Sequence, residues 1–84
     1  MAHSGEWSIR LYLFEEDDAT TAARVVLDTG ANTLTGEGRA QRNPHDRPVP
    51  EIGDELAAAR ALGDVSQQLM AAAAGDLEQF SGAR

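Results

Sequence analysis

Hydrophobic and polar residues alternate along residues 7–14, which is the pattern of a β-strand with one apolar face. One face would carry Trp7, Ile9, Leu11 and Leu13, and the other would carry Ser8, Arg10, Tyr12 and Phe14. The second face is partly apolar as well, because it presents two aromatic rings. An exposed apolar face favours contact with another surface. We therefore expect Tyr12 and Phe14, together with Val26 of the next strand, to form a dimer or partner face.

Two further strands are predicted, at residues 20–28 and 33–40. In the second strand the apolar face is repeated by Ala23, Val25 and Leu27. The third strand is weaker because Gly36 and Gly38 interrupt it, and alternating glycines in a strand mark a bulge or a close approach of another backbone. The connections are too short for crossover helices, so the strands are predicted to form an antiparallel meander.

A long helix is predicted from Pro50 onward, because apolar residues recur there in steps of three and four. This apolar stripe consists of Ile52, Leu56, Ala59, Leu62, Val65, Leu69 and Ala73. Gly63 lies within the helix and marks a kink or a close contact between helix and sheet. Gly75 is the expected end of the helix, and residues 76–80 favour a further short helical turn.

The predicted fold is α+β, a three-stranded meander followed by a long helix on one face of the sheet. It forms a single domain over residues 1–84, with a flexible start at residues 1–5. A domain of this size buries only about 60–65% of its unfolded surface and is marginally stable alone. No cysteine is present to form a disulfide. For these reasons we expect a homodimer.

The chain is acidic, with 14 acidic residues, seven arginines and a net charge of −7. Residues 38–49 are the exception, because Arg39, Arg42 and Arg47 outnumber the one acid there, Asp46. These arginines are either local braces that pair with nearby acids or contacts for phosphate groups, since they precede a helix N-terminus. The second interpretation makes them candidate contacts for an anion or for ribosomal RNA.

The sequence offers no recognisable catalytic centre, and we expect no enzyme activity and no cofactor. Neither His3 nor His45 has the oriented partners that nucleophilic catalysis or a metal site requires. The acidic run at residues 15–18 lacks the alternating ligands and the central glycine of a calcium loop. No metal site and no small-molecule substrate are therefore predicted.

The N-terminal residues do not have the charged start and apolar run of a signal peptide. No segment approaches the ~18 consecutive apolar residues of a membrane span. We therefore expect a cytoplasmic protein without a membrane partner.

Residues 43–64 combine a proline-restricted loop with the start of the helix. The distinctive residues of this run are Asn43-Pro44, Asp46-Arg47, Val49-Pro50-Glu51-Ile52-Gly53-Asp54-Glu55-Leu56, Ala59-Arg60-Ala61-Leu62 and Asp64. The run closely resembles a family of small actinobacterial proteins of unknown function. The resemblance extends over residues 6–80, including the three-strand pattern.

That family is described as having a fold like that of double-stranded-RNA-binding domains. It includes a mycobacterial protein that is induced by hypoxia and dormancy and forms a dimer similar in shape to ribosome hibernation-promoting factors. The resemblance implies a non-catalytic, dimeric stress or dormancy protein that associates with the ribosome or its RNA. The alternative is a protein–protein interaction module that uses the exposed sheet face and binds no nucleic acid. Duplex RNA binding in the usual mode is not expected, because Glu51, Asp54 and Glu55 occupy the helix start where basic residues would be needed.

Overall fold

The structure, a computed structural model, describes residues 4–43 and 45–82, with side chains as far as residue 79. Its elements are β1 (Ser8–Glu15), β2 (Thr20–Asp28), β3 (Thr33–Gln41) and α1 (Pro50–Gly82). The strands form one antiparallel sheet in the order β1-β2-β3. The predicted α+β fold, with the order β-β-β-α, is confirmed. Pro44 of the proline loop and the first three residues of the expected flexible start lie outside the described residues.

Short turns stabilised by aspartate side chains join the strands. Between β1 and β2, the backbone N–H of Ala19 donates to Oδ1 of Asp17 at 2.8 Å. Between β2 and β3, the N–H of Gly30 donates to Oδ1 of Asp28 at 2.8 Å. Gly30 has φ of 88°, a left-handed conformation that glycine adopts without a steric penalty. Connections this tight explain why neighbouring strands run antiparallel.

Helix α1 lies very close to the sheet at two glycines of β3. A Cβ atom added at Gly36 would be 2.5 Å from the carbonyl oxygen of Ala61, and one at Gly38 would be 2.5 Å from that of Ala57. Real Cβ atoms do not approach backbone atoms so closely, so only glycine fits at these two positions. The close backbone approach predicted for Gly36 and Gly38 is therefore confirmed.

The hydrophobic core is small and lies between α1, β2 and β3. Its buried members are Ala23, Val25, Leu27, Ala40, Ala57, Ala61 and Val65. Leu34 and Leu69 are partly buried against them. Since four of the seven buried residues are alanines, the core supplies modest apolar burial for a chain of 84 residues.

The apolar stripe that predicts the helix is buried only in part. Val65 is buried, but Ile52, Leu56 and Leu62 are exposed. The two glycines of β3 bring α1 so close to the sheet that alanine and valine side chains fill the space between them. Ile52 and Leu56 instead lie beside the loop that precedes the helix.

The helix continues past its predicted end at Gly75 and forms one element up to Gly82, without a separate short turn. Gly75 does not take the left-handed conformation that ends helices, because Gly30 is the only glycine of the described residues with positive φ. Gly63, where a kink or close contact was expected, has no atom within 4 Å of an added Cβ. The 33 residues of α1 span about 50 Å, which accounts for most of the 58 Å longest dimension.

Candidate functional site

The outer face of the sheet, turned away from α1, carries the residues predicted to form a partner face. In the strand register Tyr12 lies opposite Arg24, and Val26 lies opposite Arg10. Phe14 lies on the same face, two residues beyond Tyr12. The side chains of Tyr12 and Phe14 are 43% and 49% exposed, whereas Val26 is half-buried. The register thus brings the three predicted residues together; their role in dimerisation stays a prediction.

Three of the seven arginines also project from this outer sheet face. They are Arg10 on β1, Arg24 on β2 and Arg39 on β3. Three acids lie on this face too: Asp28 and Glu37 at outward strand positions, and Glu16, which pairs with Arg39. The charges of the outer sheet face therefore balance, whereas the whole chain has a net charge of −7.

The three arginines predicted to contact an anion do not form one patch. Nη2 of Arg39 pairs with Oε2 of Glu16 at 2.8 Å on the outer sheet face, where both side chains are well exposed. Nη1 of Arg42 instead donates to the carbonyl oxygen of Asp46 at 2.8 Å and braces the loop before the helix. Arg47 is exposed in that loop. Whether any of them binds phosphate stays a prediction.

Arg42 and Arg47 line a cleft of about 860 Å³ between the loop, the β1–β2 turn and the first turns of α1. Its other walls include Glu15, Asp17, Asp18, Thr21, Ala40, Val49, Ile52 and Leu56. The backbone N–H of Ala19 and then the hydroxyl of Thr20 donate to the Asp17 carboxylate and lower its pKa. The cleft is therefore bordered by negative as well as positive groups, and it presents no single-sign field to an anion.

Side chains of α1 occupy the free edge of β3. Nη1 of Arg60 donates to the carbonyl oxygen of Arg39 at 2.7 Å, and the N–H of Glu37 donates to Oδ2 of Asp64 at 3.0 Å. Nε2 of Gln68 donates to the carbonyl oxygen of Thr35 at 2.8 Å. Four residues along a helix advance about as far as two along a strand. Helix residues four apart therefore meet backbone groups of every second residue on the free edge of β3. The β3 edge is thereby capped and closed to another strand.

Among residues 4–43 and 45–82, no helix side chain caps the edge of β1 in this way, and the inner face of β1 is only partly covered. Ile9, Leu11 and Leu13 lie beside buried residues of β2 in the register, yet they are 57%, 38% and 45% exposed. The helix packs on one face of the sheet as predicted, but mainly on β2 and β3. We call Ile9, Leu11 and Leu13 the inner β1 surface.

Leu62 is exposed on one flank of α1. Each helical residue turns about 100°, so Leu62 lies on the flank opposite Arg60 and Asp64, which bind β3. That flank is on the β1 side of the helix, and Leu62 is 43% exposed there.

Within residues 4–43 and 45–82, no three potential metal ligands of the His, Cys, Asp or Glu type converge. In the same part of the chain, no helix is long and apolar enough to cross a membrane.

The sequence profile of the Rv2632c-like family matches residues 5–84. This chain belongs to that family. It is 46% identical over 66 residues to the uncharacterised protein Rv2632c of Mycobacterium tuberculosis H37Rv, covering 79% of this chain and 71% of the relative. It is 39% identical over 72 residues to the uncharacterised protein Mb1767 of Mycobacterium bovis, covering 86% of this chain and 76% of the relative.

The fold of this Rv2632c-like protein agrees with the crystal structure of Rv2632c. The two structures superpose with a TM-score of 0.84 and 38% sequence identity over 95% of each chain. The resemblance to an actinobacterial family of unknown function is thus confirmed at the level of the family. The names of these relatives state no catalytic activity.

The inner β1 surface and the capped β3 edge are the features that the sequence interpretation missed. No signal for the first lies in the sequence, because it depends on where the helix crosses the sheet. A signal for the second was the four-residue spacing of Arg60, Asp64 and Gln68, three polar side chains on one helix flank.

Proposed function

We propose that this protein is a non-catalytic interaction protein that acts as a homodimer, and that the dimer associates with the ribosome during stress or dormancy. The observation that carries the proposal is the inner β1 surface. Its side chains, Ile9, Leu11 and Leu13, lie beside core residues of β2, but α1 leaves them about half exposed. An apolar surface continuous with a core is the usual mark of an interface.

The two edges of the sheet favour β1 as the strand that meets a second copy. Helix side chains cap β3, while β1 is an eight-residue edge strand without proline. Uncovered strands of this kind pair readily with another strand. Antiparallel pairing of two β1 strands about a two-fold axis would give a six-stranded sheet with an isologous interface.

Such pairing would also cover the inner β1 surface. Ile9, Leu11 and Leu13 of both copies would lie side by side on one face of the joined sheet, between the helix flanks that carry Leu62. Each of these side chains is about half exposed, so covering it contributes about 1 kcal/mol. A chain whose own core is largely alanine gains much from this burial.

The ribosomal part of the proposal is supported by the family resemblance and by exposed arginines. Arg47 is exposed and can meet phosphate groups, and Arg42 can hold the loop that presents it. Arg39 is exposed as well, and a phosphate group would there compete with Glu16 for its guanidinium group. Association with the ribosome would place the protein in the cytoplasm. The net charge of −7 means that such contact must be local and sensitive to salt.

A second candidate function is a protein–protein interaction module that binds no nucleic acid. The observation that favours it is the exposure of Tyr12 and Phe14, since aromatic residues and arginine are enriched where proteins bind one another. In this alternative, Tyr12, Phe14 and Val26 contact a protein partner or a second copy.

Sedimentation velocity tests the homodimer with two matched double variants on one strand. Leu11→Thr with Leu13→Thr alters the inner β1 surface, and Tyr12→Thr with Phe14→Thr alters the outer sheet face. Threonine suits a strand, so both variants keep the local backbone preference. We expect the first variant to sediment as a monomer and the second as a dimer. A monomeric wild type would refute the proposal, and the reverse pattern would move the dimer contact to the outer sheet face.

Sucrose-gradient co-sedimentation tests the ribosomal part, using lysates of growing and oxygen-starved cells at low and moderate salt. We expect the protein to travel with ribosomal particles from starved cells and to be released by salt. Arg39→Glu with Arg47→Glu should abolish the association, because phosphate contacts would become repulsive. Neither substitution removes the hydrogen bond from Arg42 to the Asp46 carbonyl oxygen, so loss of binding would not result from a rearranged loop. A protein that stays at the top of every gradient would refute ribosome association.

A further inference from the structure

The outer sheet face combines aromatic rings with arginines in a regular arrangement. Tyr12 and Phe14 are two residues apart on β1, so their side chains emerge about 7 Å apart along the strand. Arg24 lies directly across from Tyr12, and Arg10 is two residues from Tyr12 on the same strand. We propose that this face binds unpaired RNA, with bases stacked on the two rings and phosphates held by Arg10 and Arg24.

The two rings are suited to stacking because they are open on the sheet surface. Both are nearly half exposed although they belong to a strand in a formed sheet. Phe14 lies opposite Ala22, whose small side chain does not cover the ring. Every base has a flat apolar face, so stacking on exposed rings binds RNA with little dependence on sequence. Sheets that carry such rings on the face opposite their helices bind single strands in this way.

The arginines next to the rings are available for phosphate. Among the described residues, neither Arg10 nor Arg24 forms an ion pair, whereas Arg39 is held by Glu16. A free guanidinium group can donate two parallel hydrogen bonds to one phosphate, and it can also stack on a base. Glu37 lies opposite Arg24 in the register and Glu16 pairs with Arg39, so the outer sheet face has balanced charges while the rest of the chain is acidic. The two arginines without an ion pair and the two open rings thus favour the same ligand.

Unpaired RNA fits this face better than duplex RNA or an apolar protein surface. Duplex recognition would need basic residues at the helix start, where Glu51 and Glu55 lie. The aliphatic side chains of β1 all belong to the inner β1 surface. The outer sheet face therefore offers aromatic rings and guanidinium groups, without a broad aliphatic patch. The inference adds an RNA-contact surface to the proposed ribosome association and rests on it only for the biological target.

Fluorescence anisotropy tests whether the full chain binds unpaired RNA. The probe is a labelled oligouridine of roughly 12 nucleotides, a length within the range of known single-strand sites. A duplex RNA of equal length is the comparison, and the salt concentration is varied between about 50 and 200 mM. Arg10→Gln with Arg24→Gln removes the two phosphate contacts. Arg84→Gln makes the same chemical change at an arginine outside the three strands and serves as the control. Tyr12→Thr with Phe14→Thr removes both rings.

We expect the wild type to bind the single strand and to bind the duplex more weakly. Loss of two phosphate contacts should reduce the slope of log affinity against log salt by about 1.4, at roughly 0.7 per contact. Loss of the rings should weaken binding about tenfold or more with the salt slope unchanged. Arg84→Gln should match the wild type. Circular dichroism verifies that each variant keeps the wild-type fold.

The inference is overturned if the wild type binds no single strand at the lowest salt, if duplex is bound equally well, or if Arg84→Gln loses as much affinity as the sheet variant. Ribosome co-sedimentation that is lost in the ring variant, without any binding of oligouridine, would assign the face to a protein partner and also overturn it. Oligouridine binding with the expected variant pattern, but without ribosome association, would support the inference and refute only the ribosomal part of the proposed function.

Discussion

Gly38 of β3 and Ala61 of α1 lie so close that a Cβ on the glycine would collide with the backbone nitrogen of the alanine. Backbone atoms on both sides cannot move aside as a side-chain end would. Gly38→Ala should therefore push α1 away from the sheet and lower the free energy of unfolding by about 2 kcal/mol or more, as overpacking does. Urea denaturation at one fixed protein concentration measures the change.

Gly63→Ala is the matched control for this substitution. An added Cβ at Gly63 meets no atom within 4 Å, and the residue lies inside α1. Alanine favours the helix over glycine by about 1 kcal/mol, so this variant should be more stable than the wild type. Equal destabilisation by both substitutions would show that the Gly38 contact does not fix the distance between helix and sheet.

The cap on the β3 edge predicts a specific role for Asp64. Asp64→Ala removes the acceptor of the Glu37 N–H and should lower the free energy of unfolding by about 1 kcal/mol, the usual value of such a hydrogen bond. Asp76→Ala makes the same change at an exposed position of the same helix. Urea midpoints of the two variants should differ, and identical midpoints would contradict a stabilising edge cap.

Dimerisation through the inner β1 surface predicts that thermal stability depends on protein concentration. A species that binds only the folded form raises the melting temperature by mass action. The midpoint of the wild type should therefore rise as the chain is concentrated, while that of Leu11→Thr with Leu13→Thr should stay constant. Scanning calorimetry over a dilution series makes the comparison. A constant midpoint for the wild type, over a range in which sedimentation shows dissociation, would argue against coupled folding and association.

The Asp17 turn predicts a pH-dependent contribution to stability. The Ala19 N–H and the Thr20 hydroxyl hold the pKa of Asp17 below the ordinary aspartate range. A carboxyl whose pKa is lowered by folding stabilises the fold above its unfolded pKa, and this stabilisation is lost as pH falls through the folded pKa. The stability difference between wild type and Asp17→Ala should thus shrink in strongly acidic solution. Urea midpoints across pH measure it, with Asp18→Ala as control; a gap that stays constant into acid would count against the prediction.

Features that depend on neighbouring residues could be predicted from the sequence. The alternation in residues 7–14 is realised as β1, and short turns enforce the antiparallel meander. Gly36 and Gly38 lie where another backbone comes close, as alternating glycines in a strand indicate. Each of these results follows from local periodicity or local sterics.

The position of the helix across the sheet could not be predicted in the same way. Periodicity places Ile52, Leu56 and Leu62 on one apolar stripe, but the close approach of α1 to the glycines of β3 buries Val65 and alanines and leaves these three exposed. That approach depends on helix and sheet together, and neither sequence pattern contains it alone. The same shift towards β3 leaves the inner β1 surface open.

The arginine cluster shows a related limit for the candidate site. Arg39, Arg42 and Arg47 are close in sequence, but the strand ends between the first two. Arg39 follows the alternation of β3 to the outer sheet face, while Arg42 binds within the loop. Nearness along the chain therefore did not predict which side each guanidinium group faces.

The cap on the β3 edge has a consequence for the size of any assembly. A meander with two open edges can add copies head to tail, β1 to β3, and such heterologous addition grows into a filament without limit. Arg60, Asp64 and Gln68 deny that second edge to an incoming strand. In the proposed dimer, the strand edge left open among the described residues is that of β1, and pairing of β1 with β1 is self-complementary and occupies both edges at once. Growth by strand addition would then end at two copies, and the helix that forms the core would also prevent polymerisation.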